Sequence, residues 1–200
     1  MKQKKYHRVY CDGCFDVCHF GHFNFARQAS ELSEEVYAGV HNDEIINKYK
    51  GPPVFPLNER ILMIESCKWI TKAIPDAPYY VNVELLKRYD CNCGVHGDDM
   101  VYNENGENCY ASVIEAGKFE TVPRTKSIST TNIIGRILRL PKKYLPNDFD
   151  QTIRKEFDES KESLHSYIPT THRIAQFSNK SEPKPGDKIV YCFGTFDLLH

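Results

Sequence analysis

The 200-residue sequence has almost no net charge: 26 lysines and arginines stand against 27 aspartates and glutamates, for a formal −1. Such a balance gives no long-range pull toward nucleic acid or an anionic membrane, so any phosphate must be bound by local groups and polymer-binding functions lose weight. A long apolar run is also lacking. The basic start, Met1 to Arg8, leads into a strand containing Asp12 and not into an apolar segment, so neither a signal peptide nor a transmembrane segment is expected. The eight cysteines are irregularly spaced, and without an export signal they read as reduced thiols, Cys91, Cys93 and Cys109 among them. A cytoplasmic protein is expected. Tryptophan occurs once, as Trp69, and is assigned to the core. What the chain does have is 40% hydrophobic residues and 12% aromatics, enough for a packed core; a domain of about 150 residues buries roughly 70% of its unfolded-chain surface.

The densest chemistry lies in Tyr10-Cys11-Asp12-Gly13-Cys14-Phe15-Asp16-Val17-Cys18-His19-Phe20-Gly21-His22. It reads as a strand that turns at Gly13 and ends at the start of a helix. His19 and His22 then sit at a helix N-terminus, where unpaired N–H groups and the helix dipole favour an anion. Gly21 between them removes a side chain that would hold a nucleotide away. Cys11, Cys14 and Cys18 beside the histidines leave a zinc reading open, although a strand cysteine and two turn cysteines converge poorly on one tetrahedral site.

Further along, Phe25, Ala29 and Leu32 recur at helical spacing, and Val36 to His41 suits a buried parallel strand. Asn42 to Pro53 has no clear apolar period and reads as a surface loop carrying Lys48 and Lys50. Asn58 is the expected N-cap of a helix whose buried face comprises Leu62, Ser66, Trp69 and Ile70. Tyr79 to Val83 reads as a strand, Glu84 to Tyr89 as a short helix and Cys93 to Gly97 as a strand, with Asp98 and Asp99 immediately after. Tyr110, Val113, Ile114 and Gly117 mark another helix, and Phe119 to Val122 another strand. The polar stretch Pro123 to Thr131 leads into a helix carrying Ile134, Ile137 and Leu138, with Thr130 or Thr131 as its cap. This alternation argues for an α/β doubly wound parallel sheet, with ligands held where the strand order reverses.

From Pro141 to Asp187 lysine, glutamate, serine and proline replace the apolar runs, as in an interdomain linker with some helix over Gln151 to Tyr167. Lys188 to His200 is again strand and turn. Cys192-Phe193-Gly194-Thr195-Phe196-Asp197-Leu198-Leu199-His200 shares the frame C-x-G-x-F-D-x-x-H with Cys11 to His19. The expected organisation is one domain over 1–140, a linker over 141–187, and the first strand and turn of a truncated second copy over 188–200.

With H-F-G-H at 19–22, H-G-D-D at 96–99 and R-T-K-S-I-S-T-T at 124–131 in one chain, the sequence resembles the cytidylyltransferases, a Rossmann-like nucleotidyltransferase family marked by H-x-G-H and R-T-x-G-I-S-T. The tandem copy makes it similar to the branch that acts on ethanolamine phosphate. The resemblance covers Arg8 to Leu140 and resumes at Lys188. It implies a transferase of phospholipid biosynthesis that converts CTP and phosphoethanolamine to CDP-ethanolamine and pyrophosphate, with Mg2+ accompanying the CTP. It also implies that a second domain would pack on the first as a pseudo-dimer. Carried over residue by residue, His19, His22, Lys50 and Arg124 are catalytic. Gly13, Cys14, Phe15, Asp16 and Gly21 shape the nucleotide cradle with His22, Asp16 also being a candidate partner of magnesium or substrate. Arg60, Gly97, Asp98, Arg124, Thr125, Ser129 and Thr130 complete the nucleotide contacts, Asp99 neighbours them, and Asp16, Tyr79 and Tyr80 face the second substrate. Lys48 competes with Lys50 for the phosphate. Ser127 stands where the family usually has glycine, which imposes strain if that position needs positive φ. The same reaction on phosphocholine or glycerol phosphate is the nearest alternative, and a weakly catalytic nucleotide-binding domain is the alternative of another class.

Overall fold

The computed structural model describes residues 3–103 and 105–138, together with five single positions between 186 and 194. The expected linker and the second strand and turn otherwise lie outside the described residues. Five strands, β1 (Tyr6–Gly13), β2 (Ser33–Val40), β3 (Lys72–Ile74), β4 (Cys93–Gly97) and β5 (Phe119–Val122), form one parallel sheet in the order β3-β2-β1-β4-β5. The order reverses between β1 and β4. The crevice beyond the carboxyl ends of these two central strands is therefore the expected ligand site.

Alternation along β1 divides the core. Val9 and Cys11 join Val36, Ala38, Val40, Cys93 and Val95 against α1 (Phe20–Leu32) and α3 (Leu57–Glu65), which contribute Ala29 and Ile64. Tyr10 points to the other face, among Leu85 and Leu86 of α4 (Val83–Arg88) and Val113 of α5 (Ala111–Glu115). Both faces are thus covered, as an all-parallel sheet requires. α1 runs straight into β2, where the Ser33 hydroxyl lies 3.2 Å from the Ala29 carbonyl and 2.9 Å from that of Glu35. No helix among the described residues is long and apolar enough to cross a membrane.

The structure departs from the sequence reading at several places. Within 42–53 there is a helix, α2 (Asp43–Tyr49), held by local chemistry: the Asn42 side chain accepts from the Ile45 N–H at 2.8 Å, with Asp43 and Glu44 in the first turn and Lys48 in the last. Only Ile46 of that helix is buried, so it leaves no apolar period. α3 begins two residues earlier than expected, with Pro56 and not Asn58 at the N-cap. Its buried face is Arg60 and Ile64, while Leu62 is 61% exposed. Trp69 lies beyond the helix, half-buried under the Lys68 ammonium, which is 4.7 Å from the ring centroid. Tyr79 to Val81 makes no strand; the third strand is Lys72–Ile74, too short for a periodic signal. Asn82 then caps α4 by accepting from the Leu85 N–H at 2.8 Å.

Ser129 opens a second compact unit, which contains α6 (Thr130–Leu138). Its cap is Ser129 and not a threonine, since Ser129 Oγ accepts from the Asn132 N–H at 3.1 Å.

Candidate functional site

Between β1 and α1 the chain makes the turn on which the site depends, and Gly13 is not where it bends most. Phe15 and Val17 take φ of 51° and 45°, left-handed values that cost a side-chain-bearing residue about 1–2 kcal/mol each. Two side chains hold this conformation. Asp16, between them, accepts from the N–H groups of Val17 at 3.1 Å, Val54 at 2.8 Å and Phe55 at 2.9 Å. Arg60, at 0% exposure, donates to the carbonyls of Cys14 at 2.6 Å, His41 at 2.8 Å and Phe55 at 2.9 Å, and pairs with Asp43 at 2.5 Å. Asp16 and Arg60 therefore clamp the 54–55 segment to the turn. Arg60, read as a nucleotide contact, has its guanidinium among protein acceptors at the turn. Asp16, read as a partner of magnesium or substrate, accepts from these three backbone N–H groups here.

The turn delivers His19 to the N-cap of α1 and His22 to its first turn. His19 Nδ1 accepts from the Gly21 N–H at 3.1 Å, and His22 Nδ1 faces the His19 N–H at 3.4 Å, so the pair caps the helix reciprocally. A nitrogen that accepts from N–H carries no proton, which puts the proton of each neutral ring on Nε2. The rings stack at 4.0 Å between centroids. Burial, with Arg124 nearby, lowers His19 to about 4, and burial with His19, Lys50 and Arg124 lowers His22 to about 3. Both imidazoles are thus neutral N–H donors at physiological pH. Gly21 has a nearer cause than room for a nucleotide: a Cβ there would meet the His19 ring and Ile128 Cγ2 at 2.9 Å.

Two cations flank the histidines. Lys50 caps the end of α2 and reaches the Cys14 thiol, which burial pushes up against the pull of that ammonium. Lys48 instead lies 4.8 Å from the centre of the Tyr49 ring, which leaves Lys50 as the cation beside His22. Arg124 follows β5 and is gripped twice: its N–H donates to Asp98 Oδ1 at 3.0 Å and its guanidinium to Asp99 Oδ2 at 2.8 Å. Gly97 permits this, since a Cβ there would lie 2.5 Å from Asp99 Oδ1. Asp98 and Asp99 hold the Arg124 loop. Thr125 is tied to α1 by the Asn24 amide at 2.8 Å, and Ile128 packs on Gly21. Ser127 between them has φ of 67°, the strain that replacement of the family's glycine implied. Ser129 and Thr130 belong to the second unit.

Beneath this cradle lies a group absent from the sequence reading. Asp12, on the Tyr10 face near the end of β1, accepts from the Tyr110 hydroxyl at 3.1 Å and lies 3.3 Å from His41 Nε2. His41 Nδ1 lies 3.1 Å from the Ala77 carbonyl. Tyr79 stands beside His41 with 5.5 Å between centroids and stacks on Tyr49 at 4.0 Å, so it joins the Asp12 group to the loop that carries Lys50. Burial first, then Cys109, Cys14, Tyr49 and Asp12, pushes the Tyr79 phenol up to about 12. Tyr80, read with Tyr79, is exposed and accepts from the Asn103 amide at 3.0 Å. The available signal was Asp12 itself, a carboxylate inside an otherwise buried strand.

The site therefore combines neutral N–H donors, two cations and an aromatic-walled carboxylate at the switch point of a parallel sheet. A solved lipopolysaccharide core biosynthesis protein from Thermoplasma volcanium shares this fold at a TM-score of 0.51, with 20% identity over 60% of this chain and 99% of that one. The ethanolamine-phosphate cytidylyltransferase of Dictyostelium discoideum is 42% identical across 98% of this chain and 57% of its own length. That of Mus musculus is 34% identical across 96% and 55%. The chain thus spans about half the length of the curated relatives it matches. The family model described as cytidylyltransferase-like matches residues 10–136, from within β1 to within α6. With more than half of its length inside that match, the chain belongs to the cytidylyltransferase-like family.

Proposed function

We propose that this chain carries the site that joins CTP to phosphoethanolamine, giving CDP-ethanolamine and pyrophosphate. The observation that carries the reading is the stacked pair of neutral imidazoles whose Nε2–H groups remain to donate beyond the α1 N-terminus. In the reaction an oxygen of the phosphomonoester attacks the α-phosphorus of CTP, a new P–O bond forms, the bridging α–β P–O bond breaks, and pyrophosphate leaves with its electron pair. The attacking oxygen is already anionic, so no strong base is needed; catalysis is positioning and stabilisation of charge on the departing group. His19 and His22 donate to the triphosphate, and Lys50 and Arg124 stabilise the phosphate oxygens from either side. Asp98 and Asp99 keep Arg124 in place. Magnesium, when bound with the triphosphate, would neutralise part of its charge. Asp16 is assigned to the turn in this reading, where its carboxylate accepts from the N–H groups of Val17, Val54 and Phe55.

The amine end selects phosphoethanolamine. A primary ammonium needs acceptors, and Asp12 beside Tyr79 and Tyr110 provides a buried carboxylate among aromatic rings. The two relatives carrying the ethanolamine-phosphate name support the same choice. The test is competition: with CTP and magnesium, equimolar labelled phosphoethanolamine and phosphocholine are offered to the chain. Predominant CDP-ethanolamine is expected, and equal or greater CDP-choline would overturn the substrate assignment.

A further inference from the structure

One face of α1 holds the loop that follows β5. Ile128 packs on Gly21, the Asn24 amide donates to Thr125 Oγ1 at 2.8 Å, and the Gln28 amide donates to the Pro123 carbonyl at 3.0 Å. Asn24 is the polar one among the three buried residues of α1. Its amide can face only one way. Arg27 Nε, which donates and does not accept, lies 3.0 Å from Asn24 Oδ1, so that atom is the carbonyl oxygen and the amide nitrogen faces Thr125. Arg27 is held in turn by Glu31 at 2.5 Å. Thr125 Oγ1 therefore accepts from α1, and its single proton is directed away from Asn24. Arg124, the preceding residue, lies near enough to His19 and His22 to lower both imidazoles, so this hydroxyl stands beside the histidine pair.

We infer that Asn24 is a positioning residue for CTP, which by donating to Thr125 makes that hydroxyl a hydrogen-bond donor toward the triphosphate. The inference rests on the reading of Arg124 and Thr125 as triphosphate contacts. An ionised phosphate oxygen accepts and does not donate, so a hydroxyl whose lone pair is already engaged by its neighbour suits it. A hydroxyl that gave its proton to α1 would instead present lone pairs to the phosphate. Asn24 thus has two separable effects on the loop: a tether, which any hydrogen bond to Thr125 supplies, and a polarity, which only a donor supplies. Arg27 sets the second by fixing which end of the amide meets the threonine.

Asn24→Asp separates the two. The carboxylate has the shape of the amide, still accepts from Arg27 and takes the Thr125 proton, so the tether survives with its polarity reversed. Calorimetric titration of the whole chain with CTP and magnesium should show Kd rising on the order of tenfold, while circular dichroism shows the fold retained. Thr125→Val, which keeps the branched shape and removes the hydroxyl, should weaken CTP to a similar extent. The double variant distinguishes the hydroxyl from simple repulsion by the new charge: if Asn24 acts through Thr125, Asn24→Asp adds little to Thr125→Val. An unchanged Kd in folded Asn24→Asp would reduce Asn24 to a tether, and losses that multiply in the double variant would leave charge repulsion as the cause; either overturns the inference. The titration needs no second substrate, so it is independent of turnover. A chain that binds no CTP overturns the nucleotide reading and the inference together, whereas undiminished CTP binding in Thr125→Val overturns the inference alone.

Discussion

Replacing Arg60 by methionine keeps the aliphatic stem and removes every donor. The cost can be worked from the four acceptors left behind. Asp43 has a 46% exposed side chain and can turn to water, so loss of its pair with Arg60 costs little, about 0–1 kcal/mol. The His41 carbonyl is buried with its donor, and leaving it unpaired costs about 1–3 kcal/mol; the Cys14 and Phe55 carbonyls, in partly buried bonds, cost less each. The sum is on the order of 3–5 kcal/mol, against a total stability of about 5–15 kcal/mol for a typical domain. Urea denaturation followed by circular dichroism should show that loss, and thermal unfolding a drop of roughly 6–20 °C. Arg60→Lys should fall between the two, because one ammonium cannot span acceptors in three loops. A loss below about 1 kcal/mol in Arg60→Met would refute the reasoning, since it would mean that water replaces the guanidinium.

The histidine pair has a pH signature. Both rings bind protons more weakly when folded, at about 4 and about 3 against an ordinary 6.5, so the unfolded chain holds more protons as pH falls through 6.5 and stability is lost from there down toward 4. The ring resonances of His19 and His22 should therefore stay fixed between pH 8 and pH 5, and titration near 6.5 would contradict their burial. Tyr10 presents a buried hydroxyl with no hydrogen-bond partner among the described residues, so Tyr10→Phe should leave the unfolding free energy from urea denaturation unchanged or raise it by about 1 kcal/mol; a loss of that size would reveal a partner. Ser127→Val places a β-branched side chain at φ of 67° and should cost about 1–2 kcal/mol, whereas Ser127→Gly should hold or improve both stability and the KM for CTP.

What the sequence makes legible follows from what has a local signal. Four of the five strands read correctly because their apolar runs are short, continuous and bounded by turn residues, while Lys72–Ile74 has three residues and no period. The positive φ of Ser127 was readable because that residue belongs to a short motif. Arg60 was not, because an exposed and an enclosed helix arginine look the same in one dimension; its role depends on carbonyls from three separate loops. The Asp12–Tyr110 bond joins positions 98 residues apart, which no spacing rule reaches. The closeness of Gly21 to Ile128 was not legible, since it exists only once β5 has returned beside α1.

The central claim is that the paired neutral imidazoles at the start of α1 catalyse transfer from CTP to phosphoethanolamine. Phosphorus NMR of the chain with CTP, magnesium and phosphoethanolamine measures it directly, through the diphosphate signal of the product and that of free pyrophosphate. The account predicts that both appear in equal amounts, and that His22→Ala slows them about a hundred- to a thousand-fold with the fold retained. Nucleotide binding without either signal, or an undiminished rate in His22→Ala, would contradict it.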